Sequence, residues 1–237
     1  MVILGIETAT PRLSASLLDD SGGFTGERAT SARSSHCELI SGFIQELLDE
    51  AGLDITGIGC VAVSAGPGSF TGLRIGIATA MGLAYGLGID VCAVPTLAGL
   101  AWGAAPAGSL VCPLVDARRR EAYTAVYRIT GNESLPETVV KPAAMPLPVL
   151  AQTLDDLHEP VVLTGPAAGL FTDALLPSCP AGSTVTPPDR SEPTALAIAE
   201  IGRILVREGR TVAPAALTPI YLRRSDAEIA RNRHCSS

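Results

Sequence analysis

Lysine is nearly missing from this chain of 237 residues, with Lys141 the only one. That excludes a phosphate-loop lysine and a Schiff-base lysine, because Lys141 falls in the proline-rich stretch 135–148, which reads as a surface loop. Histidine is almost as scarce. His36, His158 and His234 stand too far apart to pair on one helix, and the six cysteines contain no Cys-x-x-Cys pair. The cysteines therefore read as reduced, mostly buried thiols of a cytoplasmic protein, and no metal site is expected. The start of the chain lacks the basic segment of a signal peptide and meets Glu7 at once. An uncharged stretch at 75–89 falls short of the roughly 20 residues of a membrane span, and another at 91–115 is broken by Pro95, Pro106 and Pro113. Both read as buried elements.

Charge is low as well, at 17% of residues against roughly 25% in an average globular protein. The balance is −7, which opposes a phosphate backbone, so any role with tRNA or other RNA is expected to be indirect. Aromatic residues make up 4% and apolar residues 47%. Small apolar side chains thus dominate, and part of the surface is expected to lie under a partner.

What is present organises into α/β units. Residues 2–7 and 13–19 read as two strands of a hairpin around the turn at 8–12, and a third strand follows near 24–30. Ser35 and Glu38 form a capping box that opens a helix over 36–51, with Ile40, Phe43, Ile44, Leu47 and Leu48 at helical spacing and Gly52 ending it. A short strand at 60–64 leads into the loop Gly66, Pro67, Gly68, Ser69, Phe70, Thr71 and Gly72, and a second helix runs over 72–87. Small residues recur in that helix at Gly72, Gly76 and Ala80, then Gly82 and Gly86. Glycine inside a helix costs about 1 kcal/mol relative to alanine. The repetition predicts close approach of another helix backbone, within the chain or, as we favour, across a subunit interface. Residues 111–131 lie in register with 2–22, placing Glu7 opposite Asp116 and Gly22 opposite Gly131, while 161–166 loosely repeats 61–67. This echo predicts two similar domains, 1–105 and 106–237. Ser191 with Pro193 begins a last amphipathic helix, closed by Gly209.

Candidate chemistry is sparse. The glycine loop invites a phosphate-binding reading, but its spacing is G-x-G-x-x-x-G and no Lys-Ser/Thr follows, so a tight strand-to-helix connection is the competing reading. Arg74 faces the positive end of a helix dipole. A carboxylate from Glu7, Asp116 or a partner is expected to compensate it, the alternative being a solvated arginine. His36, at the first helical position, reads as a surface or interface histidine. Glu7 and Asp116, at two equivalent hairpin turns, are expected to face each other across a cleft, as paired acids able to hold a metal-nucleotide.

Five segments in order, I-E-T-A-T from Ile6, S-H-C-E-L-I from Ser35, G-P-G-S-F-T-G-L-R-I-G from Gly66, D-A-R-R-R-E-A-Y from Asp116 and P-I-Y-L-R from Pro219, resemble the TsaB (YeaZ) family from end to end. The resemblance implies the actin, hexokinase and Hsp70 type of fold, with two similar α/β domains about a cleft. It implies a non-catalytic subunit of the tRNA threonylcarbamoyladenosine machinery, partnered by the catalytic relative TsaD and the ATP-binding TsaE, and by a second copy when TsaD is absent. ATP or ADP then belongs to the complex and not to this subunit alone. TsaD carries an H-M-E-G-H metal segment where this chain reads Thr96, Leu97, Ala98, Gly99 and Leu100, groups that cannot bind a metal in the same way. Many relatives have Asp at the position of Glu7. The implied partner surface is built from the two helices, through His36, Leu39, Ile40, Phe43, Leu47, Arg74, Ile75, Gly76, Thr79 and Ala80. The competing enzyme reading is an ATP-dependent small-molecule phosphotransferase of the same superfamily.

Overall fold

The computed structural model describes residues 1–21, 24–31 and 36–223, without the side chains of 36–38. The capping box of Ser35 and Glu38, the side chain of His36, Gly22 and most of the arginine-rich C-terminus lie outside the described residues.

A first sheet is made by β1 (Val2–Glu7), β2 (Leu13–Asp19), β3 (Thr25–Thr30), β4 (Ile58–Gly66) and β5 (Val91–Pro95), in the order β3-β2-β1-β4-β5. β1 and β2 form the expected antiparallel hairpin, while β4 and β5 run parallel to β1 and one another. Every residue of β1 is buried, because both faces of a sheet with parallel crossovers are covered. On one face Val2, Leu4 and Ile6 meet α1 (His36–Ala51) and α2 (Phe70–Leu87). On the other, Ile3 points to α3 (Thr96–Ala101) and to the helix at Ala195–Arg207.

The second sheet repeats the plan. β6 (Leu110–Asp116), β7 (Glu121–Arg128), β8 (Glu137–Pro146), β9 (Val161–Thr164) and β10 (Thr184–Val185) stand in the order β10-β9-β6-β7-β8. Read from its other edge, this is the order of the first sheet, with β6 and β7 in the place of β1 and β2. α4 (Leu147–Asp155) and α5 (Ala168–Leu175) cover it as α1 and α2 cover the first. The echo between 161–166 and 61–67 is also structural: Gly66 and Gly165 both adopt positive φ, 119° and 102°, a region open to glycine.

Two expectations change. The stretch 135–148 is not a loop; it holds β8, an edge strand of the second sheet. Proline is tolerated at an edge, and the register slips between Thr124↔Ala143 and Val126↔Val140, which takes up Lys141 and Pro142. The last helix, α6 (Ala195–Arg207), begins at an N-cap on Thr194, whose side chain accepts from Ala197 N–H at 3.1 Å. Ser191 cannot cap it because its hydroxyl is held by Thr186 and by the Pro187 carbonyl. Finally, α6 packs on β1, β2, β4 and β5 of the first sheet, although it follows the second sheet in the chain. Its apolar face, with α3, fills the layer between the sheets. Cys60, Cys92 and Cys112 are buried free thiols, and Cys179 is half-buried.

Candidate functional site

The glycine loop is closed by the β1–β2 turn. Ser69 N–H donates to the Ala9 carbonyl at 2.7 Å, and the Thr8 hydroxyl donates to the Gly72 carbonyl at 2.8 Å. The Ser69 side chain caps α2 by accepting from Gly72 N–H at 3.3 Å, and Leu73 N–H donates to the Ser69 carbonyl. The N–H groups of Ser69, Gly72 and Leu73 are therefore spent inside the fold, and the loop is a tight strand-to-helix connection. α2 begins at Phe70, two residues before the expected start.

The same turn explains half of the glycine row. A Cβ on Gly72 would lie 2.0 Å from the Thr8 carbonyl oxygen, and one on Gly76 would lie 2.2 Å from Thr8 Oγ1. These glycines, with the fully buried Ala80, let α2 seat against the chain's own β1–β2 turn and sheet. The expectation that Gly76 and Ala80 meet a partner is corrected, and the same correction applies to Ile40 and Leu47, which are core residues at 1% and 0% exposure. Leu39, Phe43, Ile75 and Thr79 remain half-buried. Gly82 and Gly86 differ: both are exposed, and a Cβ there meets nothing within 4 Å. Together with Thr71, Arg74, Ala78 and the 79% exposed Tyr85, they make the outer face of α2. α2 is long and apolar enough to cross a membrane by length and composition alone; its inner face, with Leu73, Ile77 and Ala84, is buried in the fold.

Arg74 finds neither expected acid. Its guanidinium lies over the Phe70 ring, 3.8 Å from the centroid, and Phe70 in turn stacks on Tyr221 at 5.7 Å. A cation–π contact thus replaces the carboxylate. Sequence reasoning missed this trio, although Phe70, Arg74 and Tyr221 all lie within quoted motifs; only the fold brings 221 to 70.

Glu7 is fully buried at the end of β1. Its Oε1 accepts from Ala9 N–H at 2.5 Å, while Oε2 and the nearby Ser64 hydroxyl are both buried without a partner in hydrogen-bond geometry. Burial pushes the carboxyl up to about 7, against the Ala9 N–H and, more weakly, the Ser64 hydroxyl, which favour its charged form. The acid whose charge Glu7 feels is Glu192, also raised by burial, and not Asp116. Asp116 is exposed and accepts from Arg118 N–H at 2.7 Å. Nothing in the sequence around Glu192 singled it out. Because the folded state holds the Glu7 proton to higher pH than the unfolded chain, its contribution is fully present below about 4.5 and is lost as pH rises through about 7. Glu7→Gln keeps the acceptor for Ala9 and adds a donor for Ser64. It is expected to raise stability at pH 8 by roughly 3 kcal/mol, and to flatten the fall in denaturation midpoint between those two pH values in urea titrations.

Thr96, Leu97, Ala98, Gly99 and Leu100, which the resemblance sets opposite a metal segment, form α3 with Ala101, and all are buried. A Cβ on Gly99 would meet Ile198 Cδ1 of α6 at 2.7 Å. Among the described residues no three His, Cys, Asp or Glu side chains converge on a point.

Residues 13–176 match the family model described as TsaD: tRNA N6-adenosine threonylcarbamoyltransferase. The tRNA threonylcarbamoyladenosine biosynthesis protein TsaB of Escherichia coli is 32% identical, over 96% of either chain. The chain belongs to the TsaB family. The crystal structure of a Pseudomonas aeruginosa protein titled as similar to peptidase YEAZ superposes on the TsaB-family chain with a TM-score of 0.81 at 26% identity, covering 94% of this chain and 99% of that one. A ROK hexokinase from Thermus thermophilus, at 11% identity and a TM-score of 0.50, covers 87% of this chain and 100% of its own. That likeness shows the fold alone: the chain has the two-sheet actin and hexokinase architecture that the family resemblance implied.

Proposed function

We propose that this chain is a non-catalytic subunit for the synthesis of threonylcarbamoyladenosine in tRNA, acting by docking its catalytic relative TsaD on the outer face of α2 and the neighbouring surface of α1. The observation that supports this most directly is α3. Where the relative holds its metal ligands, this chain has a buried apolar turn wedged against α6, which leaves no room for a metal or a reacting substrate. The Ser69, Gly72 and Leu73 N–H groups, spent inside the fold, and the buried Glu7, whose carboxyl is raised by desolvation, argue the same way for the cleft, so ATP or ADP belongs to the complex with TsaD and TsaE.

The docking face rests on Gly82 and Gly86. Each weakens the helix by about 1 kcal/mol with no intramolecular contact to require it. Close approach of a helix from outside supplies the requirement, whether that helix comes from TsaD or from a second copy of this chain. The lone chain, supplied with threonylcarbamoyl-adenylate and tRNA, is expected to transfer nothing, whereas the mixture with TsaD and TsaE modifies the tRNA. Transfer by the lone chain, or full activity of the other components without it, overturns the proposal.

A further inference from the structure

The turn between β6 and β7 is made of three consecutive arginines, Arg118, Arg119 and Arg120, each in the left-handed region at φ 65°, 55° and 61°. Outside the glycines, only His158 shares that conformation among the described residues. Side chains with a Cβ resist it, and glycine or asparagine fills such turns without strain. The turn is also held firmly. Ala117 N–H donates to the Glu121 carbonyl and Glu121 N–H to the Arg118 carbonyl, at 3.0 and 2.9 Å, while Leu147 N–H reaches the Arg120 carbonyl at 3.2 Å. Arg223 clamps it from the C-terminal strap, donating to the Ala117 carbonyl at 3.3 Å and to Glu121 at 3.1 Å.

All three arginines are exposed. Arg12, Arg28, Arg128, Arg203, Arg207 and Arg210 sit in ion pairs with nearby carboxylates; among the described residues Arg118 and Arg120 do not. Arg118, Arg120 and Arg223 outnumber Asp116 and Glu121 at the turn, in a chain whose overall balance is −7. Successive residues of a helical turn are rotated by about 100°, so the side chains fan out. A single small anion cannot satisfy a fan, but phosphates spaced along a strand can.

We infer that the arginine turn at 118–120 is a contact for the phosphodiester backbone of RNA. The choice of tRNA as that RNA rests on the function proposed above. This goes beyond the expectation, drawn from net charge, of indirect contact with tRNA: a local cationic fan acts within a Debye length of about 10 Å, where distant carboxylates are screened. The contact is sequence-independent, positions the RNA and adds to the salt dependence of binding.

The test uses the chain in its complex with TsaD and measures tRNA binding by fluorescence anisotropy across a salt series. Arg118→Glu with Arg120→Glu is expected to leave the complex intact by size exclusion, to weaken tRNA binding about tenfold and to reduce the slope of log Kd against log salt by roughly 1.5, two phosphates' worth. Arg118→Gly with Arg120→Gly should lose the same affinity while melting no lower than the parent, since glycine relieves the backbone; that variant separates lost charge from lost folding. Unchanged affinity and slope in both variants overturn the inference. So does loss of the complex itself with unchanged tRNA affinity of whatever complex remains, which makes the turn a docking surface for an acidic protein. Failure of the unaltered chain to bind TsaD at all instead strikes the proposed function, and is read separately in the same size-exclusion runs.

Discussion

Gly72→Ala is expected to destabilise the protein by about 3 kcal/mol or more, although the same exchange in an open helix stabilises by about 1 kcal/mol. The reason lies 2.0 Å from the new Cβ, where the Thr8 carbonyl oxygen sits. That atom is backbone of the fully buried Thr8, so it cannot swing aside as a side chain end does. Moving α2 outward to make room breaks the 2.8 Å bond from the Thr8 hydroxyl to the Gly72 carbonyl and the bond from Ser69 N–H to the Ala9 carbonyl, and it opens the packing of Leu73 and Ile77. Gly82→Ala, ten residues along the same helix, meets nothing within 4 Å and is expected to raise stability by the ordinary propensity difference. Opposite signs from one substitution type in one helix, read as urea midpoints, check the division of α2 into an inner and an outer row. Equal effects at the two positions refute it.

Gly82→Arg is expected to abolish assembly with TsaD, weakening it at least a hundredfold, while leaving the melting temperature of the isolated chain near its original value. Gly82 is exposed and its Cβ direction is open, so the free subunit accommodates a long side chain in solvent. In a close helix–helix contact the same side chain overpacks the seam and buries a charge without a partner, each a loss of a few kcal/mol, and 1.4 kcal/mol is a factor of ten in affinity. Isothermal titration of the catalytic relative into the variant measures this directly. Undiminished binding removes the outer face of α2 as the docking surface and leaves the exposed Gly82 and Gly86 without a physical account. A substitution at Gly76 or Ala80 cannot serve this purpose, since both are buried against the chain's own turn and sheet and a bulky residue there unfolds what it is meant to probe.

The repeated unit was legible before any coordinate. The apolar run at 2–7, the alternation at 13–19, the helical spacing from Ile40 to Leu48 and the register of 111–131 on 2–22 are properties of the chain itself, and they became β1, β2, α1 and the β6–β7 hairpin. Edge position is not local. Residues 135–148 looked like a loop because proline cannot join a central ladder, and nothing short of the strand order places Glu137–Pro146 at the rim of its sheet. The packing of α6 across the first sheet is likewise a matter of which apolar face finds which.

The candidate site divides along the same line. Composition and motif order determined by themselves that this is a duplicated α/β chain of the TsaB family, poor in lysine and histidine, with an unusual glycine row and an arginine triplet, because those are statements about residue types and their spacing. Tertiary structure alone decided which glycines face inward to Thr8 and which face solvent, that Glu192 and not Asp116 stands near Glu7, and that Phe70 and Tyr221, far apart in the chain, receive Arg74. The physical reason is that a Cβ clash, a raised carboxyl or a ring contact depends on what lies a few ångströms away in space, and the partners in each case come from segments that sequence spacing does not connect.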